Sequence, residues 1–143
     1  MKEIYSEIEI NASSKVVWDI LMDFDNFPNW NPFIEKISGN PKVGSKIEVF
    51  IQPPDSRGMT FKPKILDYKP EEKLRWIGTL RIPKIFDGEH SWIIKEINEN
   101  KVLFVQKEKF SGILVPLLGG MLKNTKKGFK MMNNALKMES EKN

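Results

Sequence analysis

Leu74-Arg-Trp-Ile-Gly-Thr-Leu80 and Phe86-Asp-Gly-Glu-His-Ser-Trp-Ile-Ile94 both read as strands, and the residues they place on one side decide the kind of fold this chain makes. Successive side chains of a strand point to opposite faces. One face of the first stretch therefore carries Leu74, Trp76, Gly78 and Leu80, and one face of the second carries Phe86, Gly88, His90, Trp92 and Ile94. Large aromatics share these faces with glycine. Glycine weakens a strand and adds nothing to a solid core, whereas beside a cavity it leaves room or lets the sheet bend. The two stretches predict a bent sheet with a hollow against one face.

The pattern extends outward on both sides. From Phe33 to about Gly112 apolar runs are broken by turn formers at Pro41 to Gly44, Pro53 to Gly58, Pro70 to Glu72, Pro83 to Gly88 and Asn98 to Asn100, which is the spacing of an antiparallel meander. The last strand puts Phe104, Gln106, Glu108, Phe110 and Gly112 on one face. If that face looks inward it buries two polar groups, and buried polar groups need partners. His90 and Gln106 or Glu108 are then expected to satisfy one another, or together to meet the polar end of a ligand. Upstream, Ile4 to Ile10 alternates as an opening strand, Ser13 or Ser14 offers a helix cap, and Val17, Ile20, Leu21 and Phe24 recur at helical spacing. Asp25 to Pro32 is rich in turn formers yet carries Phe27 and Trp30, so it reads as a short, partly helical link with its aromatics turned inward. Downstream, Leu118, Leu122, Thr125, Phe129, Met132 and Leu136 mark one face of a long terminal helix. A strand, a helix pair, a meander and a long final helix make an α+β domain.

Composition narrows the function classes. The 143 residues predict one domain, with hydrophobic residues at 40% and charged residues at 29%, an ordinary globular balance. The absence of cysteine excludes disulfides, thiolate metal sites and cysteine nucleophiles. The single histidine excludes a multi-histidine metal site, and no phosphate loop or dinucleotide fingerprint occurs, so neither a metal nor a cofactor is expected. A net charge of +4, with lysines and glutamates interspersed, does not suggest nucleic acid. The alternating N-terminus lacks the apolar run of an export signal, and no stretch is apolar for the length of a membrane span. A cytoplasmic monomer or weak dimer is the expectation.

Ser14-Lys-Val-Val-Trp-Asp-Ile-Leu-Met-Asp-Phe-Asp-Asn-Phe-Pro-Asn-Trp-Asn-Pro-Phe33 resembles the opening signature of the SRPBCC or START-like superfamily, in its polyketide cyclase/dehydrase branch. Leu74-Arg-Trp-Ile-Gly78, Gly88-Glu-His-Ser-Trp92, Gln106-Lys-Glu-Lys-Phe-Ser-Gly112 and Gly128-Phe-Lys-Met-Met-Asn-Asn-Ala-Leu136 follow in the order seen there, so the resemblance covers the whole chain. It implies a helix-grip fold: a curved antiparallel sheet of six or seven strands around the C-terminal helix, two small helices after the first strand, and an internal hydrophobic cavity. Members bind lipids, sterols, quinones or polyketides, and a minority catalyse cyclisation. The shared feature is a container, and function lives in the particular site.

On this frame the expected cavity lining is Phe27, Trp30 and Phe33 from the link, Val49 and Phe61 from the early strands, and Trp76, Leu80 and Phe86 from the middle ones. His90, Trp92, Phe104, Gln106 and Phe110 follow from the last strands, and Leu118, Leu122, Phe129 and Met132 from the helix. Trp30, Trp76, Trp92 and Phe110 also read as plain core, and the inward glycines favour cavity lining. His90 with Glu108 reads either as a structural or ligand-orienting pair or as a general acid/base pair. Lys123, Lys126, Lys127 and Lys130 follow the apolar run Ile113 to Leu118, which suits either a solvated helix face or transient docking on an anionic membrane. Three functions stand: a carrier of a hydrophobic small molecule, a cyclase or dehydratase using His90 and Glu108, and a protein-interaction domain with an unused cavity.

Overall fold

A computed structural model describes residues 2–79, 87–112, 115 and 119–142. The chain runs β1 (Lys2–Ile10), α1 (Ser14–Met22), a 3-10 turn (Phe24–Asn26), α2 (Phe27–Trp30), β2 (Ile34–Ser38), β3 (Glu48–Ile51) and β4 (Met59–Phe61). It continues through β5 (Lys64–Lys69), β6 (Lys73–Thr79), β7 (Asp87–Asn98), β8 (Lys101–Ser111) and α3 (Gly119–Ser140). Ser13 is the cap of α1: its hydroxyl accepts from the Val16 amide at 3.2 Å, satisfying one of the donors a helix start leaves open. Asn31 ends the link in the same way, its Oδ1 accepting from the amides of Phe33 (2.9 Å) and Ile34 (2.8 Å) and so aiming the chain into β2.

The strand count departs from the expected six or seven in one sheet. Eight strands form two antiparallel sheets among the described residues, a five-stranded one in the order β1-β8-β7-β6-β5 and a three-stranded one in the order β2-β3-β4. Pro63 explains the division, since it has no amide hydrogen to extend a ladder and separates the short β4 from β5. Among the described residues the sheets meet through one bridge, Lys46↔Lys64, flanked by hydrogen bonds from the Ile47 amide to the Pro63 carbonyl (3.0 Å) and from the Ile65 amide to the Ser45 carbonyl (2.9 Å). A register shift at Ile65/Asp67 bends β5 beside this joint, and another at Ile34/Lys36 bends the start of β2.

The five-stranded sheet curves around α3. Leu122, Thr125, Phe129, Met132 and Leu136, the face expected to look inward, are buried, and Leu118 lies outside the described residues. Gly128 sits on that face because a Cβ there would overlap the Phe33 ring, which packs edge-on against Phe129 at 5.6 Å between centroids. Phe27, Trp92, Phe104 and Phe129 are fully buried, and burying each such side chain stabilises the fold by roughly 1.5–3 kcal/mol.

Candidate functional site

Strand register sets the site. Across β1, β8 and β7, Ser6 stands opposite Gln106 and Gln106 opposite Trp92; on the next inward rung Glu108 stands opposite His90 and His90 opposite Trp76. The parity that carries Ile4, Ile8 and Ile10 on β1 also carries Ser6, and the buried stripe of α3 that carries Phe129 and Leu136 also carries Asn133. Five polar side chains thus converge where the sheet meets the helix.

They form one connected chain. Asn133 Nδ2 donates to Ser6 Oγ (3.0 Å), and Gln106 Nε2 donates to Asn133 Oδ1 (2.9 Å). Trp92 Nε1 donates to Gln106 Oε1 (3.1 Å), and His90 Nε2 lies 2.9 Å from the same oxygen. His90 Nδ1 lies 3.3 Å from Glu108 Oε1. Gln106 is wholly buried and His90 is 1% exposed, so without these partners each would carry an unsatisfied group at a cost of about 1–3 kcal/mol. The expected meeting of His90, Gln106 and Glu108 is therefore a double one, with one ring nitrogen for each partner. Trp76 covers the imidazole, its ring centroid 4.8 Å away and its plane within 10° of parallel.

Glu108 ends the chain at a cavity of about 110 Å³, a scale that accommodates a small aromatic ring. Its walls are Phe33 just before β2, the β3 and β4 residues Val49, Ile51, Met59 and Phe61, the inner ends of β6 to β8 (Trp76, Gly78, Gly88, His90, Glu108, Phe110) and the start of α3 (Met121, Thr125). Arg57 and Ser56 lie at its rim on the exposed turn after Pro53. Gly78 and Gly88 face one another across β6 and β7. A Cβ on Gly78 would meet no atom within 4 Å, whereas one on Gly88 would overlap Glu108 Oε2. One glycine holds the cavity open and the other makes room for the carboxylate. A second concavity, about 570 Å³, lies between the Phe24–Trp30 turns and the β2–β4 sheet, but Asp25, Glu35, Lys36 and Glu48 line it and no buried polar chain reaches it. Although wider, it lacks the desolvated walls of a small-molecule site.

The sequence matches, over residues 1–141, the family described as polyketide cyclase/dehydrase and lipid transport. The chain belongs to this family. Among solved structures, the Zhui aromatase/cyclase of Streptomyces sp. R1128 superposes with a TM-score of 0.79 at 13% identity, over 99% of this chain and 94% of that one. A START superfamily protein of Mycobacterium smegmatis gives 0.75 at 17% identity, over 98% and 97% of the two chains. Norcoclaurine synthase of Thalictrum flavum, solved with dopamine and hydroxybenzaldehyde, gives 0.69 at 14% identity, over 95% and 84%. At these identities the likeness shows the fold. No curated protein matches the sequence.

Within this polyketide cyclase/dehydrase fold, the structure divides the residues expected to line the cavity. Phe33, Val49, Phe61, Trp76, His90 and Phe110 border it. Phe27, Trp30, Trp92, Phe104, Gln106, Leu122, Phe129 and Met132 do not: Phe104, Phe129 and Met132 are buried as core, Trp92 and Gln106 are held inside the polar chain, and Phe27 packs edge-on with Trp30 at the helical link. The physical reason is that strand parity gives a residue's face but not its position along the strand relative to the cavity. Leu80, Phe86 and Leu118 lie outside the described residues. Ile51, Arg57, Met59, Met121 and Thr125 were not anticipated, and neither were Ser6 and Asn133, although a polar residue on an otherwise apolar face was the available signal for the last two. Lys123, Lys126, Lys127 and Lys130 are exposed along one outer stripe of α3, and no helix among the described residues is long and apolar enough to cross a membrane.

Proposed function

We propose that this protein binds a hydrophobic small molecule in the cavity between the two sheets and α3, and carries it there. The observation that supports this best is Gly78: in the middle of a wall of aromatic and aliphatic side chains, the sheet leaves open space where any other residue would place a side chain. An apolar ligand supplies the missing packing, with Phe33, Val49, Phe61, Trp76 and Phe110 as its contacts. The family description, which includes lipid transport, points the same way.

The test is Gly78→Leu, whose Cβ meets no atom within 4 Å and whose branch extends from there into the cavity. A molecule extracted by organic solvent from the purified wild-type protein and identified by mass spectrometry should be absent from the variant. Added back, it should raise the melting temperature of the wild type alone, because a ligand that binds only the native state stabilises it. Equal retention by both proteins would place the ligand elsewhere.

The contact of His90 with Glu108 on the cavity wall supports a second reading, acid–base catalysis on a bound carbonyl compound of the cyclase or dehydratase kind. The carrier reading expects the extracted molecule to return chemically unchanged after prolonged incubation. Conversion that His90→Gln abolishes while binding persists would favour the enzyme.

A further inference from the structure

The donor and acceptor inventory of the polar chain fixes more than its connectivity. Trp92 Nε1 can only donate, so the Gln106 atom it meets is the amide oxygen. The amide nitrogen then faces Asn133 Oδ1, and Asn133 Nδ2 faces Ser6, so every orientation along the chain follows from one indole. Gln106 Oε1 accepts, and His90 Nε2, 2.9 Å away, must therefore carry a hydrogen. That leaves Nδ1 toward Glu108 Oε1. A neutral imidazole and an ionised carboxylate would there set two lone pairs against each other at 3.3 Å in a site that is nearly dry, with the His90 side chain 2% and the Glu108 side chain 16% exposed. The contact requires a proton between the two atoms.

We infer that His90 and Glu108 hold one proton jointly between Nδ1 and Oε1, and that Glu108 Oε2 is thereby presented to the cavity as a hydrogen-bond acceptor that selects a neutral apolar ligand bearing a hydroxyl group. The conclusion does not depend on where the proton resides. As imidazolium and carboxylate, or as imidazole and carboxylic acid with the proton on Oε1, the pair has no net charge and Oε2 accepts in both. Among the described residues only Oε1 has a hydrogen-bond partner, and Gly88 gives Oε2 its space on the cavity wall. An alcohol or phenol offers Oε2 a donor. A ketone or ether offers only another acceptor, and a carboxylate adds charge against a lone pair. A cationic amine also donates, but it must shed its hydration among apolar walls with Arg57 at the rim.

This inference rests on the cavity being the binding site, and one experiment separates the two. Binding of 4-ethylphenol, its methyl ether 4-ethylanisole and 4-ethylbenzoate is measured by calorimetry on the wild type and on Glu108→Leu. The phenol should bind about tenfold tighter than the ether, the size of one well-placed hydrogen bond, with the benzoate weakest, and Glu108→Leu should erase the preference for the phenol over the ether. Equal affinities on the wild type, or tightest binding of the benzoate, overturn the hydroxyl selection and leave the cavity in place; no binding of any probe overturns both. Because His90 is the only histidine, its ring nitrogens also give one unambiguous NMR signature. Nε2 should carry a hydrogen, as its contact with the Gln106 amide oxygen requires. A bare Nε2 would put the ring's one hydrogen on Nδ1 beside an ionised carboxylate and overturn the neutral pair independently of any ligand.

Discussion

At one end of the β7–β8 ladder Ile94 stands opposite Phe104 and Trp92 opposite Gln106; at the other Gly88 stands opposite Phe110 and His90 opposite Glu108. The first pairs are sealed, with Trp92, Phe104 and Gln106 completely buried. The second border a cavity. The same two strands therefore act as core at one end and as container wall at the other, and the polar chain from Ser6 to Glu108 lies along the boundary. Truncating a ring should expose the difference. Phe104→Ala removes a ring from close-packed surroundings and should cost about 3–5 kcal/mol in urea unfolding, transfer and cavity costs included. Phe110→Ala enlarges a space already present and should cost less, about 1.5–3 kcal/mol, chiefly lost burial. Equal losses would mean that the open end is packed as tightly as the closed one.

The paired glycines sharpen the comparison at finer scale. Gly78→Ala adds a methyl group to open space in a strand, where glycine is entropically unfavourable, and should stabilise the protein by about 0.5 kcal/mol. Gly88→Ala places the same methyl group against Glu108 Oε2, the movable end of a side chain. It should cost about 1 kcal/mol and shift the His90 ring signals as the carboxylate turns away. Two glycines facing each other across one ladder should thus respond with opposite signs in thermal unfolding, and matching signs would show that Glu108 does not lie where its oxygen meets Gly88.

These contrasts also explain what the amino-acid pattern could and could not convey. The helix-grip architecture was legible because it depends on period: alternation in β6 to β8, the 3.6-residue stripe of α3, and the capping serine before α1. The division into two sheets was not, because it turns on Pro63 and the bridge at Lys46↔Lys64, a local interruption between segments that each look extended. His90, Gln106 and Glu108 were legible as a group because polar residues on an aromatic face demand partners. Trp92 and Phe104 share that face and still fall outside the cavity, since parity says nothing about where along a strand the packing stops. Arg57 and Ser56 carry no pattern at all, and only the turn that folds them toward β6 brings them to the rim.

The closed end carries an ionic clamp of its own. At the C-terminus of α3, Lys137 Nζ donates to the Glu9 carbonyl (2.9 Å) and to Glu141 Oε2 (2.6 Å), while that carboxylate also accepts from the Asn11 amide (2.7 Å). The hydrogen bond from Lys137, then that from the Asn11 amide, hold the Glu141 carboxyl below its ordinary value of 4.5. A carboxyl held lower in the folded state binds its proton more readily in the unfolded chain, so this clamp contributes fully above the ordinary value and is lost as the pH falls through the folded one. Its carboxylate is partly exposed, so solvent screens the pair and the effect is the smallest expected here. Amide exchange in the last turn of α3 should therefore accelerate below about pH 4.5 relative to the helix centre. Glu141→Gln, which cannot ionise, should show the faster exchange at every pH and lose the acid step. If acid instead loosened Met121 to Thr125 first, the acid-sensitive contact of the helix would lie at its cavity end, and the sealed end of the sheet would owe its rigidity to packing alone.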